Sequence, residues 1–282
     1  MKLIYSFGEG TAMSKEPIGV FDSGLGGLTA VKELLSVLPH EDIVYFGDTG
    51  RVPYGNRSRS TIKKYAQQDA AFLLSKNVKF IIAACGTVSS VAGDLGGRIP
   101  VAFTGVLKPT AAAAVNKTKN GRIGVIGTSA TISSNSYKHE IERLNPDIKV
   151  YQQDCPLFVP LVENGFISED DPIVVMVVER YLQELKELGV DTIILGCTHY
   201  PILKKVISKV MGQGVALVDS GRETALYTAK LLSERGLLND STEPGKSRFY
   251  VSDTPDGVSH LAGMFLDRDI DDTVEQIDIE QF

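Results

Sequence analysis

KFIIAACGTVSS, Lys79–Ser90, and DTIILGCTHYPIL, Asp191–Leu203, are the two stretches on which the fold turns. In each, a short apolar run passes through a small residue into a cysteine, then into a polar turn able to open a helix. An apolar run of this length without alternation describes a strand buried on both faces, as in a parallel sheet covered by helices. After Cys85 come Gly86, a permissive turn residue, and Thr87, an N-cap type. After Cys197 comes Thr198-His199-Tyr200-Pro201, with Pro201 suited to a first helical turn.

Outward from these stretches the same alternation continues. Ile18–Asp22, Ile43–Gly47, Arg122–Gly127 and 215–219 read as further buried strands, with 79–84 and 191–196 as the strands ahead of the two cysteines. Between them, Leu28–Leu38, Thr61–Ser75, Ser136–Leu144 and Val178–Leu188 have helical amphipathic spacing. Strands alternating with helices predict βαβ units and a parallel sheet. A weak repeat appears as well, because IGVFDSG at Ile18 is echoed by IGVIGTS at Ile123. Chance repeats apolar strands readily, but less readily a cysteine at the same place twice. The expected fold class is therefore α/β, with two pseudo-symmetric lobes, each a mostly parallel sheet flanked by helices, and an active site between them.

Length and composition limit the function. At 282 residues the chain has room for one large or two modest domains, and a net charge of −6 with a pI near 5.3 supplies no basic footprint for nucleic acid or an anionic membrane. A small-molecule partner is expected instead. Three widely spaced cysteines form neither a disulfide framework nor a zinc motif and suit a reducing cytosol. No apolar run approaches membrane-spanning length, and residues 1–16 carry only a short apolar patch interrupted by Glu9, so the expected location is cytoplasmic. Residues 1–16 read as an extension outside the fold.

In open parallel sheets, ligands bind beyond the carboxyl ends of strands, where helix N-termini collect. Cys85 and Cys197 both belong there, and a thiol near unpaired N–H groups or a positive charge gains thiolate character. A lone cysteine in a strand is ordinarily core packing. Two matched strand-end positions, one flanked by His199, favour chemistry. Cys155, in DCPLFVPLVENG, lacks the matching strand-end turn and reads as packing.

DSGLGGLT, Asp22–Thr29, has a carboxylate, a hydroxyl and glycines just after the first strand. It departs from a dinucleotide loop because Thr29 stands at the third glycine's place. It reads better as a site loop in which Asp22 meets an ammonium and Ser23 donates a hydrogen bond. GDTGRVPYGNRS, Gly47–Ser58, reads as an ordered loop over the strand ends. Its Tyr54-Gly55 pair could offer a ring, a hydroxyl and backbone N–H groups to a polar ligand. A packed surface turn would account for that pair almost as well. Glu163 and His199 are candidate helpers for Cys197, with a solvated helix end and a structural histidine as their ordinary roles.

Together, FDSGLGGLT, YFGDTGRVPYG, AACGTVSS, CPLFVPLVENG and LGCTHYPIL, in this order from Pro17 onward, resemble the glutamate racemases. The resemblance implies cofactor-independent interconversion of L- and D-glutamate, supplying D-glutamate for peptidoglycan. One cysteine, as thiolate, removes the α-proton while the other, as thiol, protonates the opposite face. It implies that Asp22, Ser23, Tyr54, Gly55, Thr87 and Thr198 hold the substrate's ammonium and carboxylates, with His199 beside Cys197. Asp22 and Glu163 would tune the thiols. The family usually carries Asn after the first cysteine where this chain has Gly86. A side-chain amide contact is then missing, and a backbone N–H, a water or a shifted neighbour would replace it. Gly86 stays among the site positions. The family fold also implies two crossings between lobes: residues 17–106 with 219–282 form one lobe around Cys85, and 107–218 form the other around Cys197. A homodimer is compatible with this class.

Three rivals stand beside that expectation. A racemase for another acidic amino acid such as aspartate is the nearest, kept open by Gly86. A cysteine-nucleophile hydrolase would need only one thiol and would form a covalent intermediate. A binding module would bind without isotope exchange.

Overall fold

The computed structural model of the chain describes residues 13–256, 258–267 and 274–282. Its first sheet starts from Ile18–Asp22 (β1), in which every residue is buried. The chain then runs through Leu28–Val37 (α1), Ile43–Gly47 (β2), Arg59–Ser75 (α2) and Phe80–Ala83 (β3). Gly86–Val91 (α3), Ala102–Gly105 (β4) and Leu107–Lys117 (α4) follow. β1 pairs in parallel with both β2 and β3, so Phe21 lies beside Phe46 and Ala83, and strands buried on both faces carry the continuous apolar runs seen in the sequence.

The second sheet repeats the plan with Arg122–Gly127 (β5), Lys149–Asp154 (β6), Thr192–Leu195 (β7) and Ala216–Asp219 (β8). Its helices are Ser129–Ser133 (α5), Ser136–Leu144 (α6), Phe158–Glu163 (α7), Pro172–Glu187 (α8) and Lys204–Met211 (α9). Strand order is β2-β1-β3-β4 in the first lobe and β6-β5-β7-β8 in the second, which is one topology used twice. Ser220–Glu234 (α10) then packs on α1 and α4, and Arg222 reaches Glu33 at 3.2 Å. Ser247–Val251 (β9) joins the first sheet beside β2, Val258–Leu266 (α11) packs on α1, and Val274–Gln276 (β10) adds the outer strand. All strand pairs are parallel. Among the described residues, no helix is long and apolar enough to cross a membrane.

Two expectations change here. Residues 1–12 lie outside the described residues, but Met13–Lys15 forms a 3-10 turn and the Ser14 carbonyl accepts from the buried Lys79 ammonium, so the packed chain starts ahead of Pro17. The helix expected from Val178 starts at Pro172, because Asp171 caps it by accepting from the N–H groups of Ile173 and Val174.

Candidate active site

Cys85 and Cys197 occupy equivalent places in the repeat, after the third strand of each lobe. Both border one cavity of about 280 Å³ between the lobes, also lined by Ser23, Gly24, Tyr54, Gly55, Gly86, Thr87, Thr198, His199 and Glu163. A larger groove of about 1030 Å³ runs past the β4 edge of the first sheet, but neither thiol lines it. Chemistry rather than size selects the smaller cavity.

Cys85 caps α3, and its carbonyl accepts from Ser89 N–H at 2.9 Å. Its thiol approaches Ser23 Oγ at 3.6 Å. Burial first, and then the negative charge of Asp22, push this thiol up to about 12. Asp22 itself is 1% exposed and does not line the cavity. Its Oδ2 accepts from the N–H groups of Gly24 and Gly27 at 3.2 and 3.0 Å, while Oδ1 is buried with no hydrogen-bond partner among the described residues. Burial raises its carboxyl pKa, with His199 and the loop N–H groups pulling the other way.

Cys197 sits in a different field. His199 Nδ1 lies 3.9 Å from its Sγ, and the opposite ring nitrogen meets Glu163 Oε1 at 3.0 Å. Burial favours a neutral ring. The hydrogen bonds to Cys197 and Glu163, with the charge of Asp22, outweigh it and hold the imidazole up to about 10. A raised histidine stabilises the fold fully below its unfolded value of about 6.5, and that contribution is lost as pH rises through its folded value. In urea unfolding, the parent chain's advantage over His199→Gln should therefore be full near pH 6 and close as pH passes about 10. The gap will be modest, because the Glu163 side chain is 48% exposed and solvent screens the pair. A gap constant over that range would overturn the imidazolium assignment.

Tyr54 lies in the expected loop, which is built of two 3-10 turns, Thr49–Arg51 and Tyr54–Asn56. Its hydroxyl is committed elsewhere. It donates to Asp48 and lies 3.1 Å from Asp69, so Tyr54 positions the loop and its hydroxyl is not offered to a ligand. Arg51 completes the cluster with contacts to Asp48 at 2.6 Å and Asp69 at 3.1 Å.

Thr128 and Ser129 line the cavity without having been singled out, although IGVIGTS places them opposite Ser23 and Gly24 in the repeat. Thr87 Oγ1 meets Thr128 Oγ1 at 3.0 Å, and Thr29 donates to the Thr198 carbonyl at 2.9 Å, so hydroxyls stitch the lobes together around the cavity. Cys155 needs correction: it follows β6 directly and borders the same cavity. It is 0% exposed, its thiol faces the Gln153 carbonyl at 3.8 Å, and burial raises its pKa.

A family model described as Asp/Glu/Hydantoin racemase matches residues 29–228. The chain is 48% identical over 263 residues to a glutamate racemase of Chlorobaculum tepidum, covering 92% of this chain and 95% of that one. It is 44% identical over 269 residues to a glutamate racemase of Geobacter metallireducens, covering 95% and 98%. The crystal structure of glutamate racemase from Francisella tularensis in complex with D-glutamate superposes with a TM-score of 0.88 at 41% identity, covering 95% of this chain and 100% of that one.

Proposed function

This chain belongs to the Asp/Glu/hydantoin racemase family, and from that premise we propose that it interconverts L- and D-glutamate by moving a proton through two thiols, Cys85 and Cys197. The observation that carries the reading is that both thiols, from equivalent strand ends of opposed lobes, border one small cavity. Inversion at a tetrahedral carbon needs a base on one face and an acid on the other, each held within reach of that carbon. A volume of about 280 Å³ suits a small amino acid better than a nucleotide-sized ligand.

In the proposed step, one thiolate takes the α-proton and the C–H electron pair stays on the substrate carbon. The opposite thiol then gives its proton to the other face and becomes the thiolate, so the reverse reaction finds the roles exchanged. The raised thiol of Cys85 supports that residue as the protonated partner at rest. His199, with Nδ1 3.9 Å from the Cys197 sulfur, is placed to exchange a hydrogen bond with it. Ser23, Thr87 and Thr198 would supply hydroxyls, and Gly55 and Gly86 backbone N–H groups, to the substrate's carboxylates and to the charge that develops beside the α-carboxylate. Asp22, behind the wall, acts on the ammonium and on Cys85 through its charge. The product would serve cell-wall synthesis, as the family resemblance implies.

The test is to incubate each pure enantiomer of glutamate, and of aspartate in parallel, with the protein in heavy water without added cofactor. Glutamate should lose optical purity and gain one α-deuterium per inversion. Aspartate turning over at a greater kcat/KM would replace glutamate as the substrate. Binding without exchange would overturn the enzymatic reading.

A further inference from the structure

Thr29, which stands where a dinucleotide loop would carry its third glycine, puts a buried hydroxyl between the lobes. Its Oγ1 lies 2.9 Å from two carbonyl oxygens, that of Gly26 just ahead of its own helix and that of Thr198 in the second lobe. A hydroxyl has one proton to give. The Gly26 carbonyl already accepts from the Thr29 N–H at 3.0 Å, so the hydroxyl proton goes to Thr198.

This bond falls where both lobes carry site residues. Thr198 lies between Cys197 and His199, and all three border the cavity. On the other side, Thr29 sits in the first turn of α1, directly after the loop whose Gly24 and Gly27 N–H groups hold Asp22. The two surfaces meet closely: a Cβ built on Gly26 would collide with Thr198 Oγ1 and lie 2.5 Å from His199 Nδ1. A second hydroxyl link between the lobes, Thr87 to Thr128, is made by residues that line the cavity, so a substrate can claim it. Thr29 does not line the cavity, and no ligand there competes for its proton.

We propose that Thr29 is a positioning residue of the reaction: by holding the Thr198 carbonyl against the first turn of α1, its hydroxyl fixes the turn that carries the Cys197 thiol opposite Cys85. This role rests on the two-thiol reading above and adds to it a residue behind the cavity wall. Without the hydroxyl, the Cys197–His199 turn is free to shift, while Cys85, between β3 and α3 of the first lobe, is not. From the enantiomer that Cys85 deprotonates, proton removal goes on, but Cys197 delivers late. The C–H electron pair stays on the substrate carbon, and Cys85, after its thiol proton exchanges with heavy water, returns a deuteron to the face it came from. From the other enantiomer, removal by Cys197 is itself slowed, so retained exchange falls at least as much as inversion.

The experiment follows two rates in heavy water from each pure glutamate enantiomer: inversion, and deuterium uptake into the uninverted enantiomer. In Thr29→Val, kcat/KM for inversion should fall by about 10- to 100-fold, the cost of a misplacement of up to about 1 Å. The fall must be equal from both enantiomers, because mirror images have equal energy. The ratio of retained exchange to inversion should instead rise by about tenfold from one enantiomer and not from the other. Thr29→Ser keeps the hydroxyl and should restore inversion to within about threefold of the parent chain. Thr29→Ala, which sets no methyl group against the two carbonyls, carries the test if Thr29→Val fails to fold. Thr224→Val removes another buried hydroxyl, bonded to the Ser220 carbonyl at 2.6 Å within α10, and should leave the ratio unchanged from both enantiomers. Lost stability alone lowers every rate together, so a ratio that is unchanged, or that changes equally from both enantiomers, overturns the proposal. The same shift in Thr224→Val, no recovery in Thr29→Ser, or inversion kept within about threefold in Thr29→Val also overturns it. A parent chain that neither inverts nor exchanges glutamate would instead overturn the two-thiol reading, and the role of Thr29 with it.

Discussion

Cys85→Ala and Cys197→Ala should each lower glutamate racemisation by about 10²- to 10⁴-fold, the usual worth of a positioned proton donor or acceptor. Both thiols are nearly buried, at 5% and 8% exposure, so water cannot readily stand in for the lost sulfur. The deficit should appear in kcat more than in KM, because the hydroxyls and N–H groups proposed to hold the substrate stay in place. Cys155→Ala is the informative control. It borders the same cavity and follows a strand, yet its thiol is fully buried against the Gln153 carbonyl. It should keep racemisation and lose about 1 kcal/mol of stability. Racemisation surviving in both single variants would overturn the two-thiol assignment, and loss in Cys155→Ala would move the proton chemistry to another pair.

The second large effect is expected at Arg51. Its guanidinium, in a side chain only 11% exposed, lies between the buried carboxylates of Asp48 and Asp69, reaches Gln68 Oε1 at 2.6 Å and stacks 4.1 Å over the Tyr65 ring. Asp69 is already raised well above the usual carboxylate range, first by burial and then by Asp48, and the Arg51 cation offsets part of that. Arg51→Met should cost about 3–5 kcal/mol in urea unfolding, as removing one partner of a buried ion pair typically does. Arg51→Lys should recover only part of this, because an ammonium cannot reproduce the planar fork. The loop carrying Tyr54 and Gly55 should loosen in step, raising KM for glutamate. A loss below about 1 kcal/mol would show that the cluster does not depend on its cation.

The strands that were legible in the sequence are those buried on both faces. β1, β2 and β5 begin and end where their apolar runs do, and the duplicated cysteine stretches revealed the two-lobed plan. The strands that went unread are mixed or short. β6, at a sheet edge, holds only Val150 and Tyr151 as apolar residues among Lys149, Gln152, Gln153 and Asp154, and β4 offers only AFTG, so neither has the continuous apolar signal of a central strand. Missing β6 led directly to the misreading of Cys155's position. Tyr54 was legible as a site-loop residue, but not the direction of its hydroxyl, which is set by Asp48, 6 residues away, together with Asp69 on α2, 15 residues away. The His199–Glu163 pair spans 36 residues, and the filling of Gly86's missing side chain by Gly196 spans more. The first contact is made by tertiary packing within the second lobe and the other by the meeting of the two lobes, and no local pattern encodes either. Asp171-Pro172 was a readable helix start that amphipathic spacing alone placed too late.

The strand order of the first sheet has a consequence for how the protein is made. β9 and β10, from residues 247–276, lie outside β2, while the whole second sheet is drawn from residues between β4 and β9. On the ribosome, the second lobe therefore emerges with all its strands before the first has its full complement. Until β9 arrives, β2 presents a free edge of apolar residues, Ile43, Val44, Tyr45 and Phe46, to whatever is nearby. The nascent chain is most open to aggregation in that interval, and a chaperone acting on it would find its binding site along β2.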